Sequence, residues 1–372
     1  MMILTIESTC DETAAAVIDG QAQVRGHCIA TQEALHERFA GVVPEIAARA
    51  HVERILPVID TALRQAGVKG QSLDAIAVAD RPGLAGSLLV GLVAAKTLAV
   101  AWRKPLVSVN HLHAHLYACL MSARATADAS AEAASARADS ARADSARADS
   151  AKEISIGDVY PCIGLVVSGG HTSLYRCENP LDLEYLGGTI DDAAGEAFDK
   201  VGAMLNLGFP GGPAVSKLAA TGDPKAYDFP RSMMHRPDYR FSFSGLKTAV
   251  RYSIAPTGAV DFASLEIDEQ TKADICASFQ AAVVEVLVAK CLRAIREFAT
   301  PRLIIGGGVA VNPELRRQMK AASDQHGFEL FLAAPEFCTD NAAMGAIALE
   351  KIRRNEFASL DLDITPGLQR GF

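Results

Sequence analysis

The chain has 372 residues, 49% of them hydrophobic, enough to give two domains a core each. A formal net charge of −8 argues against a protein that grips nucleic acid through its overall field, and leaves a local basic patch or a partner as the route to such a ligand. Eight cysteines without a C-x-x-C pair suit reduced thiols and a cytoplasmic location, and a start lacking a basic, then apolar, leader gives no sign of export or membrane contact.

Ile3 to Ile6 reads as a short strand, Glu7 to Thr13 as a polar turn, and Ala14 to Ile18 as the returning strand. A hydroxyl-rich, acidic tip of this kind can hold a phosphate and its metal, although ordinary solvated turns have the same composition. A helix follows over roughly Pro44 to Ala66, with Ile46, Ala50, Ile55, Val58, Ile59 and Leu63 at helical spacing and Gly67 as its stop. Strand Ala75 to Ala79 runs into Arg81-Pro82-Gly83 and a small-residue helix, Leu88 to Val100. No uninterrupted apolar run is read as long enough to span a membrane.

After a buried strand, Pro105 to Val109, the segment Asn110-His111-Leu112-His113-Ala114-His115 crowds metal-binding side chains together. With Asn110 as the N-cap of a helix, His111 and His115 share one face and His113 points nearly the opposite way. Two imidazoles can then meet one ion, but hydrogen-bonded core or surface histidines have the same spacing. A zinc protease of the H-E-x-x-H type needs its general base where Leu112 stands, so a metal here requires another ligand and another reaction.

From Ser122 to Ser150 the composition shifts to Ala, Ser, Arg and Asp, with three tandem Ser-Ala-Arg-Ala-Asp copies. Nothing larger than Ala recurs there to build a core, so residues 122–154 read as an insertion between domains. Beyond it, strand Cys162 to Val167, turn Ser168-Gly169-Gly170-His171 and strand Thr172 to Cys177, with a third strand near Leu183 to Leu186, repeat the N-terminal opening. Two related α/β domains facing each other across a cleft are expected.

Asp191 to Lys200 is expected to open a helix with three acids in its first turns, which either complement the helix dipole or serve a site. Another helix should follow Gly208 to Pro213. Residues 229 to 252 interleave Arg231, His235, Arg236, Arg240, Lys247 and Arg251 with Phe229, Tyr239, Phe241, Phe243 and Tyr252, as a nucleic-acid contact or a packed lid with a charged rim would. A long helix, Asp268 to Phe298, precedes strand Leu303 to Ile305. Gly306-Gly307-Gly308 then lets a flat ligand or phosphate approach the backbone, and Asn312-Pro313 reads as an N-cap and N1 pair. This loop matches neither a Rossmann nor a P-loop fingerprint. A last strand, Glu329 to Leu332, leads to Cys338-Thr339-Asp340-Asn341 and a helix from Ala342 to about Arg354. Asp340, at that helix start, is the candidate third metal ligand.

Together these loops resemble the nucleotide-binding fold shared by actin, sugar kinases and Hsp70-type chaperones. Within it the chain is similar to the bacterial TsaD family, through Glu7 to Thr13, Gly41 to Glu45, His111 with His115, Val167 to Thr172, Asp191 to Lys200, Pro210 to Pro213, Phe241 to Thr248, Gly306 to Gly308 with Asn312, and Cys338 to Asn341. The resemblance implies two α/β domains of that type (ASKHA, RNase H-like) facing across a nucleotide cleft. They are expected at residues 1–121 and 155–339, with 340–372 rejoining the first. It also implies transfer of a threonylcarbamoyl group from threonylcarbamoyl-AMP to N6 of adenosine 37 in tRNAs reading ANN codons.

By the same resemblance, His111, His115 and Asp340 match the family's metal ligands. Val166, Val167, Ser168, Gly169, Gly170, Asp199, Gly212 and Asn312 match adenylate-binding positions, and Asp11 and Glu12 match acids near the reactive end. Two imidazoles and a carboxylate leave open positions, which suits Fe(II) or Zn(II). The implied partners are tRNA, a smaller paralogous subunit (TsaB) resembling the N-terminal domain, the ATPase TsaE, and TsaC as source of the adenylate. The alternative, the family's older label of metal-dependent glycoprotein endopeptidase, is disfavoured by Leu112. The chain departs from the usual family pattern at Ser8-Thr9, Asp80-Arg81 and His113-Ala114, and a third imidazole beside the metal would alter metal choice.

Overall fold

The protein is described by a computed structural model over residues 1–39, 41–123, 154–255, 262 and 265–367. The expected 122–154 insertion lies outside these residues except for Ser122, Ala123 and Ile154.

Two five-stranded sheets carry the chain, and they share one topology. Strands β1 (Met2–Glu7), β2 (Thr13–Asp19), β3 (Val24–Ala30), β4 (Ala75–Arg81) and β5 (Leu106–Asn110) run in the order β3-β2-β1-β4-β5. Strands β6 (Cys162–Val167), β7 (Thr172–Asn179), β8 (Asp182–Gly188), β9 (Arg302–Gly306) and β10 (Glu329–Leu332) run β10-β9-β6-β7-β8, the same order read from the other edge. In each sheet two antiparallel pairings are followed by parallel ones, β1 with β4 and β4 with β5, then β6 with β9 and β9 with β10. The central strands are apolar on both faces, as burial between helix layers demands; Ile3, Leu4, Ile163, Leu165, Ile304 and Ile305 are all fully buried. Strand β3 carries His27 and Arg25 among its apolar positions, which is why its alternation does not stand out in the sequence.

The helices at Pro44–Ala66 and Ala85–Trp102 pack beside the first sheet, against a core of Leu4, Ile6, Val58, Ile59 and Leu92. The helix Glu269–Glu297 buries Phe279, Val283, Val286 and Leu287 in the second. Truncating Phe279 to Ala there would cost about 3–5 kcal/mol. Both Ala85–Trp102 and Glu269–Glu297 are long and apolar enough by composition to cross a membrane, although Lys96 interrupts the first and Glu285 and Lys290 the second. In the fold 78% of the apolar window of Glu269–Glu297 is buried inside the protein, the pattern of a core helix.

Two expectations change. The helix after β8 spans Ala194–Met204, so Asp191 and Asp192 precede it instead of opening it. Asp191 accepts from Phe243 N, Ser244 N and Ser242 Oγ, while Asp192 pairs with Lys200 and Lys247; their charge is spent on holding the 241–247 segment. The C-terminal element begins as a 3-10 helix, Ala342–Ile347, and becomes α-helical only at Ala348–Arg353. It lies on the first sheet: Thr5 Oγ1 donates to Ala342 O at 2.6 Å, and Gly345 sits where any side chain would press on Thr5.

Candidate active site

The shared topology sends equivalent loops to the same ends of the two sheets. The parallel strands β1, β4 and β5 lead into the 8–12 tip, the Pro82-Gly83 turn and the His111 helix; β6, β9 and β10 lead into Ser168–His171, Gly307–Gly308 and the loop carrying Asp340. Sites in open α/β sheets form beyond these carboxyl ends.

Helix 111–123 starts directly at the end of β5. Asn110 Oδ1 accepts from Leu112 N at 2.9 Å, the local N-cap the sequence suggests. One turn of helix brings the His111 and His115 rings to 4.5 Å between centroids. Asp340 reaches them from the far end of the chain: its Oδ1 lies 3.1 Å from His115 Nε2 and 3.5 Å from His111 Nε2. One ligand atom from each of the three residues lies within 4.8 Å of the others.

The residues present fit a divalent cation. His111 Nδ1 faces Glu7 Oε2 and Thr9 Oγ1, each at 3.2 Å, and a carboxylate can only accept, so Nδ1 carries the proton. The Nε2 lone pair of His111 then faces the Asp340 carboxylate, and two acceptors in that position need a proton or a cation between them. His115 is fully buried; among the described residues its Nδ1 has no hydrogen-bond partner, and its Nε2 has only the Asp340 oxygen beside it at 3.1 Å. Such orphaned nitrogens are costly unless something binds them.

Electrostatics agree. Burial opposes charge on His111, but Asp340 and Glu7 outweigh it and raise the imidazole to about 9. Burial and the neighbouring His111 lower His115. Burial likewise opposes the charged form of Asp340, yet the imidazoles hold it well below the usual carboxylate range. His113 faces Tyr175 at 6.0 Å between ring centroids and is no part of the three-residue cluster. Burial, then Lys351 and Arg81, lowers it to about 4.

Asp11 and Glu12 sit partly buried at the tip of the β1–β2 hairpin. Burial, followed by the charges of Asp11 and Asp340, pushes Glu12 up to about 10, so the pair holds a proton. Across from them, Val166 and Val167 are fully buried and Ser168 nearly so, leaving mainly their backbone to meet a ligand. Gly169 and Gly170 are exposed, and a Cβ on either would meet nothing within 4 Å, so their turn borders open space. Gly307, at φ 99°, and Gly306 are required instead by close packing: side chains there would collide with Val167 O and His115 O. This interlock ties the glycine loop of the second sheet to the histidine helix.

Asp199 Oδ1 accepts from Gly211 N at 2.9 Å and Gly212 N at 3.2 Å, anchoring the start of the helix Gly211–Ala219. Burial raises Asp199 in spite of those two amides, with Asp11 adding to the rise. The side chain of Asn312 is committed: its oxygen caps Glu314 N and Leu315 N, and its amide donates to Gln280 Oε1 at 2.8 Å. It shapes the loop more than it offers a free group. Glu7, Thr9 and His171 were not singled out from the sequence, yet Glu7 and Thr9 hold His111, and the His171 ring stands 6.0 Å from it. Their one signal is position, at strand ends flanking the two polar turns.

The basic and aromatic segment divides between core and surface, with Tyr252, 57% exposed, the one of its Phe and Tyr rings that faces outward. Phe229, Tyr239, Phe241 and Phe243 are core residues, 7% exposed or less, and are not available to stack on bases, whereas His235, Arg236 and Arg240 are exposed.

Two duplicated sheets with loops converging on a cleft, where the helix after β5 and the loop after β10 together form a His-His-Asp cluster that fits a divalent ion, define a protein of the actin, sugar-kinase and Hsp70 fold class. Two HypF structures share that fold: T. kodakarensis HypF at TM-score 0.55 and a full-length HypF at 0.54, each 14% identical, covering 95% of this chain and 48% and 46% of theirs. The sequence profile of TsaD, tRNA N6-adenosine threonylcarbamoyltransferase, matches residues 23–141 and 140–347. Proteins of that name from Rhodopirellula baltica and an Anaeromyxobacter species are 63% and 45% identical, over 100% and 98% of this chain and 98% and 99% of their own. The chain belongs to the TsaD family and is a transferase that modifies tRNA.

Proposed function

We propose that the chain transfers the threonylcarbamoyl group from threonylcarbamoyl-AMP to N6 of adenosine 37 in tRNAs that read ANN codons. The observation that carries this reading is the convergence of the His111–His115–Asp340 set, the acids of the 8–12 tip and the glycine turns on one cleft. His111, His115 and Asp340 would hold one divalent ion, Fe(II) or Zn(II), because their donor set leaves open positions. When bound, such an ion supplies a Lewis acid that polarises the carbamoyl oxygen.

The chain's own residues do the rest. Backbone N–H groups of Gly169, Gly170 and Gly308, where the turns border open space, would meet the phosphate and stabilise charge on departing AMP. Asp199 and Gly212 hold the adenosine half on a floor formed by Val166, Val167, Ser168 and Asn312. As N6 attacks the carbamoyl carbon, the bond from that carbon to the phosphate oxygen breaks, and the Asp11–Glu12 pair takes the N6 proton.

The endopeptidase alternative has less support, since the fully buried Leu112 stands where its general base is needed. A first domain over residues 1–121, a second over 155–339, and a return of the C-terminal segment to the first are supported by the Ala358–Leu106 bridge and the bond from Thr365 N to Asp80 O. All eight cysteines are free thiols, which supports a reducing, cytoplasmic setting.

The proposed partners are tRNA, a TsaB-like subunit and a TsaE-like ATPase. Val52 and Leu56 on one helix, and Leu89 and Val93 on the helix packed beside it, are 48–64% exposed. Such an apolar face suits a paralogue of the N-terminal domain that presents its own equivalent helices. The test of the activity is mass spectrometry of an ANN-decoding tRNA incubated with threonylcarbamoyl-AMP, this chain and its partners. A threonylcarbamoyl adduct is expected; an unmodified tRNA from the complete mixture would overturn the reading.

A further inference from the structure

His51 lies on the helix Pro44–Ala66, outside every loop invoked so far, and is fully buried. Its Nε2 is 3.0 Å from Cys10 O, and its Nδ1 is 2.8 Å from Thr13 Oγ1. A carbonyl only accepts, so Nε2 carries the proton, and Nδ1 accepts from the Thr13 hydroxyl. Burial lowers His51, which suits this neutral tautomer. One imidazole thus spans the tip that carries Asp11 and Glu12.

The two bonds fall where they control the acids. Cys10 O belongs to the peptide unit that enters Asp11, so fixing it fixes the direction in which Asp11 leaves the strand. Thr13 directly follows Glu12 and is fully buried. A second donor, Ser87 Oγ, reaches the same Cys10 O at 3.0 Å, and Ser8 Oγ in turn donates to Ser87 O at 2.9 Å. Two helices therefore grip one turn of the hairpin, and the carboxyl groups stand on a frame that does not depend on ligand.

We propose that His51 and Thr13 are positioning residues that set the orientation of the Asp11–Glu12 pair for proton transfer. This rests on the reactive role assigned above to those acids. A displacement of about 1 Å at a reacting group costs on the order of 100-fold in rate. The loss should fall on kcat, because His51 and Thr13 are fully buried and act on the acids only through the tip they hold.

The test uses the full chain with its partners and compares Thr13→Val, Thr13→Ser, His51→Leu and His51→Gln. Thr13→Val keeps the shape and removes the hydroxyl. It should lower kcat about 10–100-fold with KM for tRNA and for the adenylate within about twofold, and Thr13→Ser should restore kcat. His51→Leu should match Thr13→Val, and His51→Gln, which keeps a donor for Cys10 O, should recover part of the loss. Wild-type kcat in Thr13→Val, or a loss that Thr13→Ser does not rescue, overturns the proposal. Asp11→Asn and Glu12→Gln, measured alongside, separate the two readings. If those are silent, the role of the acids fails; if they are inactive while Thr13→Val is not, only the clasp fails.

Discussion

His115 Nε2 lies 3.1 Å from Asp340 Oδ1, a contact that joins the helix after β5 to the loop after β10. The two loops are equivalents in the duplicated topology, so each sheet contributes side chains to one cluster. Metal analysis of purified protein should find one divalent ion per chain, and His115→Ala should reduce it to background. Glu7→Gln removes the carboxylate that orients His111 together with Thr9 and should weaken metal binding about 10–100-fold while leaving the site able to fill. Undiminished metal in His115→Ala would end the assignment.

Tyr117, on the same helix as the histidines, donates its hydroxyl to Glu350 Oε1 at 2.8 Å, with both residues buried. This ties the C-terminal element to the histidine helix. Tyr117→Phe removes the hydroxyl and should destabilise the fold by about 2 kcal/mol, the usual worth of a buried hydrogen bond to a charged acceptor. Urea denaturation would measure it, as a lower midpoint at unchanged slope.

Much of this arrangement was legible in the sequence because the site sits at strand ends, where apolar runs give way abruptly to polar turns. Strand β6 ending at Ser168-Gly169-Gly170, and the His111–His115 spacing, need only local rules. Asp340 was reachable through its place before a helix. Glu7 and His51 were not, because each owes its role to a partner distant in sequence, His111 for one and Cys10 with Thr13 for the other. The aromatic rings of 229–243 misled for the same reason: composition shows that rings and cations alternate, but only packing decides that Phe241 and Phe243 face the core. Asp191 and Asp192 looked like helix-start acids until the 241–247 segment supplied them with amides and lysines.

Lys290 is fully buried on the helix Glu269–Glu297, donating to Asp238 O at 2.8 Å with no carboxylate in an ion pair with it among the described residues. Burial, then Arg293, lowers it to about 8 from 10.5. Between those values the unfolded chain binds more protons than the folded one. Stability contributed at this site is therefore lowest below about pH 8 and rises as pH climbs through 8 toward 10.5. The stability difference between wild type and Lys290→Met should shift in favour of wild type across that window. A pH-independent difference would show that the lysine titrates normally.

Arg236 and Arg240 are exposed beside the 231–240 backbone, which Arg293 holds by donating to Met234 O at 2.8 Å and to Asp238 O at 3.3 Å. Arg240 is partly neutralised by Asp238 at 2.7 Å, so Arg236 should carry more of any phosphate contact. Arg236→Glu with Arg240→Glu should weaken tRNA binding, and the deficit should shrink as salt rises from about 50 to 200 mM, because fewer counterions are released. Filter binding at both salts decides it. Equal affinity to wild type at both would remove this face from the tRNA path.

Leu56 and Val93 project from adjacent helices at 63% and 53% exposure, far from the buried faces that hold those helices on the first sheet. Replacing exposed apolar side chains by acids changes the stability of the isolated chain little, within about 0.5 kcal/mol. At a buried apolar interface the same change places an unpaired charge out of water, which costs several kcal/mol. Leu56→Asp with Val93→Asp should therefore leave the thermal midpoint and metal content of the chain intact. It should also abolish co-elution with a TsaB-like subunit in size-exclusion chromatography. Retained co-elution would move the partner to another face, and a lowered midpoint would mean that these side chains serve the fold itself.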